Sequence, residues 1–118
     1  MKYLRIYAGP DGESHFDDVE VALGRSGSSS DVSEMIATKG VIFRRSPHDQ
    51  FADWHHAPRR QFVVTLSGEA EVEASDGEVR RIVPGTVMLA DDLTGKGHIT
   101  RGVGTQERLS LFIPLADR

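Results

Sequence analysis

Cysteine is absent from the 118-residue chain, and that one absence excludes disulfides, thiolate nucleophiles and cysteine-based zinc or iron–sulfur sites. No apolar run approaches membrane-spanning length. The opening residues, Met1-Lys2-Tyr3-Leu4-Arg5-Ile6-Tyr7, are too short and too charged for a secretory leader, so a soluble, cytoplasmic protein is the expectation. Excess positive charge is also missing. Fourteen Lys and Arg against eighteen Asp and Glu give a formal net charge of −4, which disfavours nucleic acid, since phosphate binding needs a basic surface. The arginine pairs at 44–45, 59–60 and 80–81 are local exceptions, and those at 44–45 and 80–81 read as surface.

What the sequence does have is punctuation. Short apolar runs are separated by Gly, Pro, Asp and Ser, the pattern of an all-β domain. Candidate strands are residues 2–7, 16–23, 40–45, 61–67, 69–75, 78–83, 86–90, 98–100 and 108–115. Residues 24–31 read as a flexible loop, and Asp31 could cap one helical turn over residues 32–36. Glu69 to Ser75 alternates cleanly, which turns Ala70, Val72 and Ala74 inward and the glutamates outward. Asp76-Gly77 supplies a two-residue hairpin turn after it. In residues 61–67, Gln61, Val63 and Thr65 share one face while Phe62, Val64 and Leu66 share the other. Both faces carry apolar side chains, so the outer one must be covered by the N-terminal strands or by a second subunit, and a homodimer is expected.

The order of these features resembles a single-domain cupin. A His-containing segment precedes a strand ending in Leu66-Ser67-Gly68-Glu69, a hairpin and the Pro84-Gly85 turn follow, and a glycine loop leads to His98. The chain looks most like short bacterial cupins that carry an Ala-Pro-Arg-Arg-Gln stretch, here residues 57–61. The resemblance implies an all-β, cupin-type double-stranded β-helix or jelly-roll barrel. One domain would span residues 1–118: motifs over residues 40–115, and N-terminal strands within residues 1–39 completing the barrel or the dimer.

The family's first motif reads Gly, five residues, His-x-His, three or four residues, Glu, six residues, Gly. Gln61 and Gly68 keep the last spacing, and His56 falls on the second histidine. Trp54 stands on the first histidine's position and Gln61 on the glutamate's. In the second motif, Pro-x-Gly-x-x-His-x-x-x-Asn, Gly95 and His98 match, while Leu93 replaces the proline and Gly102 the asparagine. The fold motif is kept and the metal motif is degraded.

The resemblance implies His56, Gln61 and His98 as ligands of a divalent metal (Fe, Ni, Cu, Mn or Zn), with His55 joining if a bulge turns it inward. The same His56 and His98, with Asp91 and Asp92, are the candidate acid–base groups. Strand parity puts Trp54 beside His56 as a pocket wall and turns Arg59 inward, where it would read an anionic group or pair with Asp53, Asp91 or Asp92. The leading expectation is a small-molecule pocket in the barrel, holding a metal-dependent oxygenase, lyase or isomerase. The alternative is a metal-free binder of a small ligand such as a small acid, without turnover.

Overall fold

A computed structural model describes residues 1–27 and 29–116. Its described residues form twelve strands and no helix: β1 (Lys2–Ala8), β2 (Ser14–Glu20), β3 (Gly24–Arg25), β4 (Asp31–Val32), β5 (Ile42–Ser46), β6 (Phe51–His55), β7 (Gln61–Ser67), β8 (Glu69–Ala74), β9 (Val79–Ile82), β10 (Val87–Asp91), β11 (His98–Val103) and β12 (Arg108–Pro114). No helix is long and apolar enough to cross a membrane.

Two sheets carry the fold. The large one runs β2-β1-β10-β7-β12-β5 and the small one β6-β11-β8-β9. All pairings within them are antiparallel except β1 with β10. From β5 onward the chain passes back and forth between the sheets, interrupted only by the β8–β9 hairpin. That alternation is the wiring of a double-stranded β-helix, so the all-β, jelly-roll expectation holds.

Period-two patterning places the core. Leu4, Ile6, Val63 and Met88 from the large sheet meet Ala70, Val72, Ala74 and Ile82 from the small one in a single buried cluster. Burying a side chain such as Ile6 stabilises by ~1.5–3 kcal/mol before entropy is counted. The glutamates of β8 face out as expected. Arg101 bridges Glu71 and Glu73 at 3.1 and 2.8 Å, and Arg81 bonds Glu69 at 2.8 Å. The outer side of the small sheet is thus a ladder of ion pairs.

The outer side of the large sheet is apolar instead. Register aligns Phe43, Leu111, Val64 and Val87 in one row across β5, β12, β7 and β10. Tyr3, on β1 of the same sheet, meets Phe62 edge to face at 5.2 Å across β10, a side-chain contact and not a covering strand. Residues 20–25 and 32–36 border Val64, Val87 and Ile113 around a groove of about 880 Å³, while Leu66 and Phe43 stay exposed.

Three expectations change in detail. The turn after β8 is made by Ser75-Asp76, closed by Gly77 N–H donating to the Ala74 carbonyl at 3.0 Å. Gly77 follows at φ 98°, so it supplies the left-handed exit and is not half of a two-residue turn. No helical turn forms at residues 32–36. Asp31 and Val32 pair with Arg25 and Gly24, which closes the expected loop as a small ladder. Strand β6 was not expected at all, for a reason that also shapes the site.

Candidate functional site

A cavity of about 330 Å³ lies between the inner faces of the two sheets. That volume suits a small molecule, at the low end of ligand sites. Its polar lining includes His55, Gln61, His98, Thr100 and Arg108, against an apolar wall of Val63, Val72, Met88 and Phe112.

Strand β6 delivers His55 by a bulge. His98 faces His55 and Thr100 faces Ala52, so three steps along β6 (52 to 55) match two along β11 (98 to 100). The extra residue reverses parity within the strand, which is why Phe51-Ala52-Asp53-Trp54-His55 shows no clean alternation. His55 turns inward, and its ring lies 4.3 Å from the His98 ring, centroid to centroid, tilted by 57°. Its Nδ1–H donates to the Asp53 carbonyl at 2.7 Å. In the neutral ring this leaves Nε2 as the nitrogen with the lone pair.

His98 is held in the same tautomeric sense. Its Nδ1 meets Asp92 Oδ2 at 2.5 Å, with the histidine side chain 6% exposed and the aspartate 0%. Asp92 Oδ1 has no hydrogen-bond partner among the described residues. A carboxylate on Nδ1 fixes the ring's tautomer and orientation and leaves Nε2 as the nitrogen available to a ligand. Asp91, one residue earlier, points to the other face. It accepts from Arg5 at 3.0 and 2.9 Å and from Arg60 at 3.2 Å.

The remaining expected residues sit as follows. His56 is exposed at the cavity rim, with its Nε2–H bonded to the Gly95 carbonyl, so it does not stand beside His98. Trp54 is 47% exposed and lines no part of the cavity; the bulge that turns His55 in turns Trp54 out. Gln61 is buried in the wall, and its Oε1 accepts from Arg59 Nε at 3.0 Å. Arg59 itself is exposed, not inward, and pairs with that amide and with none of the aspartates among the described residues.

Arg108 was overlooked. It lies on β12, whose inward face is Arg108, Ser110 and Phe112 while Leu109, Leu111 and Ile113 face out. Hydrophobic patterning reads such a strand inside out. The available signal was parity carried across the register from Gln61 and Thr65 on β7. Burial and, secondarily, the charge of Arg44 lower the Arg108 pKa. Arg44 is exposed, as read from the sequence, and also borders the cavity.

The donor set bears on a metal. Two imidazoles offer an Nε2 anchored from behind, the arrangement that suits metal ligation. A third strong donor is not assembled: no three His, Cys, Asp or Glu side chains converge among the described residues, and the Gln61 oxygen is already engaged. The three-histidine-plus-carboxylate set implied by the resemblance is therefore fitted only in part.

No family model matches the sequence, and no curated protein matches it. Among solved structures, a conserved protein of unknown function from Streptococcus pyogenes aligns with a TM-score of 0.50 at 21% identity, covering 74% of this chain and 71% of its own. A candidate ethanolamine utilization protein Q from Salmonella typhimurium aligns with a TM-score of 0.49 at 17% identity, covering 98% and 97%. The first likeness bears on the fold alone, and the second carries no weight for function.

Proposed function

We propose that the protein is a cupin-type binder of a small molecule, held in the interior cavity between the two sheets. The observation that carries this reading is the convergence of the Asp92-oriented His98, His55 and Gln61 on one mixed-polarity space between the sheets. His98 would hydrogen-bond the ligand through Nε2, His55 would stack beside it, and the apolar wall would take the ligand's carbon body. The outer groove is larger but brings no comparable polar cluster together.

A second reading keeps a divalent metal on His55, His98 and Gln61, with His56 moving in from the rim, and with it oxygenase, lyase or isomerase chemistry. It is favoured by the two anchored imidazoles. When bound, the metal would polarise a substrate oxygen or activate dioxygen.

One experiment separates them. A thermal-shift screen of small polar compounds on chelator-treated protein is expected to return compounds that raise the melting temperature without added metal. Stabilisation that disappears after chelation and returns with a single divalent ion, confirmed by about one equivalent in elemental analysis, would replace the first reading with the second. No stabilising compound under either condition would contradict both.

A further inference from the structure

Arg108 is 7% exposed, and no carboxylate among the described residues pairs with it. One Nη2–H donates to Thr65 Oγ1 at 3.0 Å, and Nε is buried without a partner. A guanidinium stays charged at any physiological pH, so it cannot relieve burial by losing its proton as a lysine would. Its neighbours do not neutralise it. On the β5–β12 ladder Ser46 faces Arg108 and Arg44 faces Ser110, which sets a second arginine on the same inner wall. Arg44 lies over the Phe112 ring at 4.9 Å. Among the described residues no Asp or Glu lines the cavity, although the chain as a whole is acidic. Asp92 is buried behind His98 and bonded to it.

We propose that this uncompensated charge is the anchor for the ligand's anionic group, and that the cavity takes a small carboxylic acid with an apolar body. The planar guanidinium matches a carboxylate in geometry and charge, with Arg44 adding a second positive charge nearby. Val72, Met88 and Phe112 face the rest of the molecule, and His98 Nε2 stands ready for a polar substituent. This assignment rests on the cavity reading above and names its ligand class. It also moves anion recognition from Arg59, which is exposed, to the buried Arg108 on β12.

The test is a calorimetric and thermal-shift comparison of benzoate with benzamide, equal in shape and different in charge, at fixed ionic strength. Benzoate is expected to bind at least ~10-fold more tightly than benzamide, because hydrogen bonds to a charged partner are the stronger ones. Arg108→Met should erase that preference, while the ligand-free variant melts at the same temperature or higher, since a buried unpaired charge has been removed.

Equal binding of acid and amide overturns the anion assignment and leaves the cavity reading standing. Binding of neither overturns both. A lower melting temperature in Arg108→Met with the acid preference unchanged gives Arg108 a structural role and overturns the assignment. If the variant does not fold, the acid–amide contrast in the unmodified protein decides alone.

Discussion

Replacing His98 by alanine is expected to lower stability by about 3–5 kcal/mol, enough to threaten a domain whose whole margin is of order 5–15 kcal/mol. The loss is assigned mainly to Asp92. Its side chain is 0% exposed, Oδ1 has no partner among the described residues, and Oδ2 is held by His98 alone. Removing the imidazole would leave a carboxylate wholly buried and unsatisfied, in addition to a void beside His55. Asp92→Asn is the control, because its amide oxygen still accepts from Nδ1–H, and it should lose only about 1–2 kcal/mol. Urea denaturation of both variants checks the pair. Less than about 1 kcal/mol for His98→Ala would mean that the aspartate is rescued by water or a neighbour, and the site would then be looser than described.

Gly97→Ala is expected to be as damaging, for a steric reason. Gly97 sits at φ +75°, and an added Cβ would lie 2.3 Å from the His55 carbonyl oxygen and 2.6 Å from its carbon. Both obstacles are backbone, so relief requires moving the end of β6, and with it the ring that stands against His98. Left-handed strain alone costs about 1–3 kcal/mol, and the overlap brings the total to about 3–5 kcal/mol, or a melting temperature lower by roughly 12–20 °C. Gly77→Ala isolates the first contribution, since Gly77 has φ +98° with nothing near the added carbon. A similar loss in both variants would show that the packing of the glycine loop on His55 is unimportant.

Much of the fold was legible because inward and outward positions alternate along β7 and β8. Gln61, Val63, Thr65, Ala70, Val72 and Ala74 are all buried where parity put them. The site was harder to read, and for one physical reason. Parity propagates only through regular strand, and the residues nearest the ligand space do not lie in one. The bulge between Ala52 and His55 exchanged the roles of Trp54 and His55, and counting back from Gln61 beyond the start of β7 misplaced Arg59. A bulge was recognised as the condition for His55 to turn in, but nothing in the sequence shows that the extra residue is present. His98 and Asp92 were within reach because a motif spacing and an adjacent aspartate marked them. Arg108 escaped because a buried, unpaired cation violates the pattern that sequence reading relies on. Such violations are expected where binding, not stability, dictates the residue.

The proposed ligand space lies between the sheets and not in the larger apolar groove outside. Two-dimensional amide NMR, recorded while titrating the compound with the strongest thermal shift, tests it directly. Perturbations confined to the inner lining, around Ala52, His55, Gln61, Thr100 and Arg108, are the expected result. Perturbations centred on Val21, Leu23, Val32, Val64 and Val87 would place the ligand in the outer groove and contradict it.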